Sequence, residues 1–151
     1  MHPFRILVVE DDPDIREMLM TCLSQEGEVE GAADGLEALE RLARGPTPSV
    51  LLLDLRMPRL SGEELLRAME FSPSRPPVVT MSACTNEAPP GSWAHLDKPF
   101  AIEDAIAALR EVCREAAEGA RAGPEMSPDG RATRPRPPAS CASAAPPPPP
   151  R

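Results

Sequence analysis

Short aliphatic runs alternate with helical patterns over residues 4–118, and this alternation constrains the fold more than any other feature. Each run is short and rich in Val, Ile or Leu, as expected for strands buried on both faces of a sheet. The strand pattern is strong in three segments and weaker in two; in chain order the five are residues 4–9, 28–33, 50–53, 77–81 and 94–96. Strands that alternate with helices in this way predict a doubly wound α/β fold with a five-stranded parallel sheet.

Helical spacing of apolar residues fills most intervals between these strands and follows the last one. The predicted helices are residues 14–25, 34–44, 61–71 and 101–118. Asp34 and Ser61 are suited to cap their helices, because a side-chain oxygen at that position accepts a hydrogen bond from a first-turn amide. Glu64 follows Ser61 at the spacing of a capping box.

Composition divides the chain into a domain and a tail. Residues 119–151 hold ten of the 21 prolines without apolar periodicity, which predicts a disordered, proline-rich tail after a domain of residues 1–118.

The domain carries 11 basic and 22 acidic residues, a net charge of −11, which disfavours nucleic acid as a partner. No apolar run approaches the roughly 20 residues of a membrane-spanning helix, so no membrane partner is expected. The four cysteines are scattered, which disfavours a zinc site or a disulfide scaffold and favours the cytoplasm.

Polar side chains follow four of the predicted strands. Glu10 and Asp11 come after the first strand, Asp54 after the third, Ser82 after the fourth and Lys98 after the fifth. The carboxyl ends of parallel strands meet at one edge of a sheet, so these side chains are expected to converge. Carboxylates that lie close together repel one another and raise one another's pKa unless a cation lies between them. A few carboxylate ligands that leave coordination positions open are suited to Mg²⁺. A carboxylate at such a site can attack a phosphoryl group, whose oxygens the lysine and the hydroxyl can bind.

Four segments at these strand ends carry a resemblance to a known family. They are ILVVEDDPDIR at residues 6–16, LLLDLRMP at residues 51–58 with Gly62 after it, PVVTMSA at residues 77–83, and KPF at residues 98–100. Each is modest alone, but the four in this order are specific. Over residues 4–118 the chain resembles the receiver domain of two-component response regulators, of the stand-alone, chemotaxis-regulator-like kind. The resemblance implies a flavodoxin-like receiver fold.

The resemblance also implies a role for each residue at the strand ends. Asp54 matches the phosphoacceptor. Glu10, Asp11 and Asp54 match the residues that hold Mg²⁺, and the backbone carbonyl of Arg56 is implied as a further ligand. Lys98 matches the lysine of the family's site, where a compact ammonium is needed rather than a planar guanidinium.

Ser82 matches the switch hydroxyl that moves to the phosphoryl group, and the Lys98–Pro99 bond is expected to be cis. Two features depart from the family. His95 lies where the family usually has the rotating Tyr or Phe of the switch; it is assigned that role, with an exposed histidine of no importance as the alternative. The connection between the last two strands is short and contains Pro-Pro-Gly at residues 89–91, which predicts a shortened or missing fourth helix.

The implied function is that of a phosphorylation-dependent signalling switch. A histidine kinase or phosphotransfer protein would donate the phosphoryl group, and an unidentified output protein would read the result by direct contact, with the chain as a monomer or weak dimer. The chain would catalyse only its own phosphotransfer and dephosphorylation. Two alternatives stay open. One is a phosphorylation-independent adaptor on the same fold, and the other is a phosphatase with an aspartyl nucleophile. Such phosphatases typically carry a second aspartate two residues after the nucleophile, where this chain has Arg56.

Overall fold

Five strands and four helices alternate along the described part of the chain, which in this computed structural model comprises residues 4–72, 75–83 and 88–122. In chain order the elements are β1 (Arg5–Val9), α1 (Pro13–Leu23), β2 (Glu28–Ala32), α2 (Gly35–Arg44), β3 (Val50–Asp54), α3 (Gly62–Met69), β4 (Val78–Ser82), β5 (Ala94–Asp97) and α4 (Ile102–Ala122). Every predicted strand and helix is confirmed, with ends that differ by a few residues.

The strands form one parallel sheet in the order β2-β1-β3-β4-β5. The predicted doubly wound, flavodoxin-like fold is therefore confirmed. The register aligns the carboxyl ends of the strands: Asp54 of β3 lies opposite Met81 of β4, and Ser82 lies opposite Asp97 of β5. Side chains just beyond these positions consequently share one edge of the sheet.

The core consists of two aliphatic layers, one on each face of the sheet. Ile6 and Val8 of β1 pack in the layer that includes residues of α1 and α4. Leu7 and Val9 pack in the other layer, which includes residues of α2 and α3. Successive strand residues point to opposite faces, so a strand covered on both faces needs apolar residues at every position. This requirement explains the uninterrupted aliphatic runs in the sequence.

Side-chain caps fix where three helices begin. Asp12 accepts hydrogen bonds from two first-turn amides of α1, and Pro13 occupies the first turn, where its missing N–H costs nothing. Asp34 caps α2 as predicted. Ser61 and Glu64 form the predicted capping box of α3. The caps set the start of each helix next to the carboxyl end of the preceding strand.

The connection between β4 and β5 differs from the other crossovers. Within its described residues, 83 and 88–93, there is no helix, which confirms the predicted shortened or missing fourth helix. Ser92 donates its amide to the Pro89 carbonyl at 3.1 Å in a tight turn before β5. This turn leads the chain into β5.

Helix α4 continues to Ala122, beyond the predicted domain end at residue 118. The rest of the predicted tail, residues 123–151, lies outside the described residues. None of the helices in the described ranges combines the length and the apolar character needed to cross a bilayer.

Candidate functional site

Three buried polar residues lie at the carboxyl edge of an otherwise aliphatic sheet. Glu10 follows β1, Asp54 ends β3 and Ser82 ends β4, and each is no more than 4% exposed. Burying a polar group costs free energy unless partners compensate it. Three of the six buried polar residues in the described part of the chain therefore lie at the edge where the sequence predicted a site.

Lys98 links the two buried carboxylates. Its Nζ donates to Glu10 Oε2 at 3.0 Å and to Asp54 Oδ2 at 3.2 Å. Its backbone amide donates to the Ser82 carbonyl at 3.0 Å, and the Lys98–Pro99 bond is cis, as the resemblance implied. The backbone contact fixes the start of the lysine side chain, and charge-assisted bonds fix its end. The chain's only lysine thus lies between the proposed phosphoacceptor and one proposed metal ligand.

The charges at this edge do not balance. Burial raises the pKa of Glu10 to about 7, because the bond from Lys98 only partly offsets burial and the neighbouring charge of Asp54. Burial would lower the pKa of Lys98, but the hydrogen bond to Glu10 and the charge of Asp54 raise it overall. One ammonium therefore serves two carboxylates. A second cation would relieve the remaining repulsion.

The carboxylates fit a hard divalent cation. Glu10, Asp11 and Asp54 each offer an oxygen, and these three atoms lie within 4.8 Å of one another. Asp11 is exposed, so the cluster is open to solvent on one side. An all-oxygen donor set that leaves coordination positions open is typical of Mg²⁺. The residues present therefore fit the predicted cofactor.

Arg56 lies beside this cluster, two residues after Asp54. Its backbone amide donates to Asp54 Oδ1 at 3.1 Å, while Lys98 contacts Oδ2. The two contacts fix the orientation of the Asp54 carboxylate from both sides. That the Arg56 carbonyl is a metal ligand stays a prediction.

Ser82 lies on the strand next to Asp54, one position beyond the Asp54–Met81 pair in the register. It is buried, and its carbonyl accepts the bond from Lys98. Ala83, the next residue, is exposed. The predicted movement of Ser82 stays a prediction.

His95 lies in β5 opposite Thr80, and its side chain is only 5% exposed. The ring Nδ1 is 2.7 Å from Thr80 Oγ1, and Nε2 is 3.4 Å from Asp97 Oδ1. Thr80 Oγ1 is also 2.8 Å from Ser92 Oγ. The alternative of an exposed His95 is wrong, because a buried hydroxyl on the neighbouring strand gives the ring a polar partner inside the fold.

Comparison with known proteins agrees with this arrangement. Residues 6–110 match the sequence model of the family described as the response regulator receiver domain. The chain belongs to this family. Among relatives, the chain is 37% identical over 134 residues to the response regulator MprA of Mycobacterium sp. (strain KMS), a match covering 84% of this chain and 55% of that protein. MprA of Mycobacterium leprae is 39% identical to the chain over 117 residues, and that match covers 73% of this chain and 51% of that protein.

Solved structures with the same fold include receiver domains. The Francisella response regulator 1452 receiver domain matches with a TM-score of 0.66 and 27% identity, over 76% of this chain and 99% of that one. The chemotaxis protein CheY4 of Vibrio cholerae matches with a TM-score of 0.62 and 31% identity, over 72% of this chain and 97% of that one. The chain spans about half the length of the curated relatives it matches.

Sequence reasoning missed two polar contacts of this receiver domain. It did not identify Thr80, which also contacts Ser92, as the partner of His95, nor the ion pair between Arg59 and the buried Asp34. Thr80 was detectable from the sequence, because it is the one residue with a hydroxyl group in the predicted strand of residues 77–81. It lies two residues before Ser82, so the two side chains are expected on the same face of the sheet. The pairing of Arg59 with Asp34 left no local signal, since 25 positions separate the two residues.

Proposed function

We propose that Asp54 accepts a phosphoryl group from a histidine kinase or a phosphotransfer protein, and that the modified domain signals by protein contact. The observation that carries the proposal is the Lys98 ammonium between Asp54 and Glu10 at the edge of the sheet. An oxygen of Asp54 attacks phosphorus, the new O–P bond forms, and the P–N bond of the donor phosphohistidine breaks. The leaving imidazole nitrogen keeps the electron pair and takes a proton from solvent.

The contacts of Asp54 support it over its neighbours as the acceptor. Its two oxygens have different partners, the Arg56 amide and the Lys98 ammonium, so the carboxylate is already oriented before a donor arrives. Such preorientation avoids an entropy cost during the reaction. Glu10 is buried with a raised pKa of about 7, which makes it a poorer nucleophile near neutral pH.

Glu10, Asp11, Asp54 and the Arg56 carbonyl would hold Mg²⁺. Bound there, the ion supplies positive charge to the oxygens of the transferring group. Lys98 supplies a second positive charge from its fixed position between the carboxylates. Ser82 donates its hydroxyl proton in a hydrogen bond to an oxygen of the phosphoryl group once Asp54 carries it.

The new charge on Asp54 then shifts an equilibrium between two arrangements of the β4 and β5 ends. We propose Ser82 and His95 as the residues that move. The His95 ring would exchange its contact with Thr80 Oγ1, which is 2.7 Å away in the structure. Because the described residues between β4 and β5 form no helix, the output protein would contact a surface built from the turn before β5.

The adaptor alternative retains one specific observation, which is that the described residues between β4 and β5 form no helix. Against the adaptor, the acidic cluster and the lysine that contacts it are all in place.

The phosphatase alternative lacks the second carboxylate that is usual in such enzymes, because Arg56 occupies that position. We further propose a cytoplasmic location and a monomer or weak dimer.

The test is intact mass spectrometry after incubation with Mg²⁺ and acetyl phosphate. Wild type should gain one phosphoryl group, and Asp54→Asn should gain none. Asp104→Asn, which removes an exposed aspartate from the first turn of α4, is the matched control and should behave as wild type. Absence of an adduct on wild type would refute the proposal and favour the adaptor, whereas an adduct on Asp54→Asn would refute Asp54 as the acceptor.

A further inference from the structure

The loop between β3 and α3 holds one residue in a sparsely populated backbone conformation. Arg59 has a φ of 67°, the left-handed region that side chains with a Cβ rarely occupy. Such a conformation persists where the surroundings hold it in place. The same loop carries Arg56, whose carbonyl is a proposed ligand of Mg²⁺, so whatever holds Arg59 also bears on the metal site.

The Arg59 side chain is anchored to helix α2. Its guanidinium forms an ion pair with Asp34, a residue only 2% exposed, although Arg59 itself lies largely in solvent. The other oxygen of Asp34 accepts the amide of Glu37 at 2.9 Å and so caps α2. One buried carboxylate therefore holds both the first turn of a helix and the loop beside the acidic cluster.

Close backbone packing supports the same contact. A Cβ added at Gly35 would lie 2.7 Å from the Leu60 carbonyl oxygen, and one at Gly62 would lie 2.5 Å from the Asp54 carbonyl oxygen. Gly62 also donates its amide to the Leu55 carbonyl at 3.1 Å. The loop is thus pressed against α2 on one side and folded back on Asp54 on the other.

We propose that the Arg59–Asp34 ion pair is a positioning device that holds the β3–α3 loop in its cation-binding conformation and so sets the Mg²⁺ affinity of the site. The inference rests on the proposed function, since it concerns the same cation. Neither side chain contacts the cation in this proposal. Their effect is to fix in advance a backbone oxygen that would otherwise lose conformational freedom on binding.

Two substitutions test the ion pair with little other change. Asp34→Asn keeps a good N-cap, and Arg59→Asn keeps a residue that tolerates the left-handed region. Titration calorimetry with Mg²⁺ should give a Kd about tenfold higher for each variant, at the lower end of what partners of metal ligands contribute. The double variant should match the single variants, because both remove the same contact.

The direction of the two effects separates positioning from general electrostatics. Removal of a positive charge at Arg59 would by charge alone tighten cation binding, whereas removal of a negative charge at Asp34 would weaken it. Positioning weakens binding in both. Arg44→Asn makes the same charge change at the exposed end of α2 and should not weaken binding, and Arg59→Lys should recover most of the wild-type affinity.

A second readout uses the protein without cation. Hydrogen exchange of the amides of residues 55–61 should be faster in both variants than in wild type, with the remaining helices unchanged. Wild-type Mg²⁺ affinity in both variants, or shifts of opposite sign, would overturn the inference and leave the proposed function intact. A wild type that binds no Mg²⁺ would overturn the proposed function and this inference with it.

Discussion

The substitution Glu10→Gln should remove a pH-dependent destabilisation of the cation-free domain. Burial raises the pKa of Glu10 from 4.5 to about 7 in the folded protein. At a pH between these two pKa values, the folded state keeps the Glu10 proton that the unfolded state has lost. The free energy of unfolding therefore falls as the pH rises from about 4.5 to about 7. One pKa unit corresponds to about 1.4 kcal/mol, and the loss between pH 5 and pH 8 is therefore about 2–3 kcal/mol.

Urea denaturation in the presence of a chelator measures this directly. The difference in unfolding free energy between Glu10→Gln and wild type cancels the other titrating groups, and it should grow in favour of the variant from pH 5 to pH 8. Glu63→Gln, at an exposed glutamate in the first turn of α3, is the matched control and should show no such growth. If the difference in unfolding free energy between Glu10→Gln and wild type is the same at pH 5 and pH 8, the reasoning about burial and charge around Glu10 is refuted.

Three further predictions concern single contacts. Lys98→Arg should slow phosphoryl uptake from acetyl phosphate by at least about tenfold, because a planar guanidinium cannot reproduce both ammonium contacts; uptake at the wild-type rate in the mass assay would contradict this. Thr80→Val removes the oxygen 2.7 Å from the His95 ring, so the ¹⁵Nδ1 chemical shift of the ring should move in NMR spectra; an unchanged shift would exclude this contact. Ser61→Ala breaks the capping box and should cost about 1 kcal/mol in urea denaturation, and a loss below a few tenths would show that the cap is dispensable.

The architecture was predictable because its determinants are local. Aliphatic runs covered on both faces specify parallel strands, and Asp34, Ser61 and Glu64 identify helix starts by side-chain chemistry alone. The convergence of Glu10, Asp54 and Lys98 followed from the rule that parallel strands end at one edge. The resemblance then gave each residue a role, and those roles stay predictions until the chemistry is measured.

What the sequence did not predict depends on contacts between distant segments or on competing local preferences. The inward position of His95 depends on Thr80 of the neighbouring strand, and register is not visible in either segment alone. Gly119 was expected to begin the tail, yet α4 passes through it to Ala122. A glycine costs about 1 kcal/mol in a helix interior, and the alanine-rich sequence on both sides offsets that cost.

The central claim, phosphorylation of Asp54, is tested most directly by locating the modified residue. After reaction with acetyl phosphate and Mg²⁺, borohydride reduces an aspartyl phosphate to homoserine and releases phosphate, and peptide mass spectrometry then finds the altered position. We expect homoserine at residue 54 alone. Homoserine at Asp11 or Asp12, or at no position in protein that binds Mg²⁺, would contradict the claim.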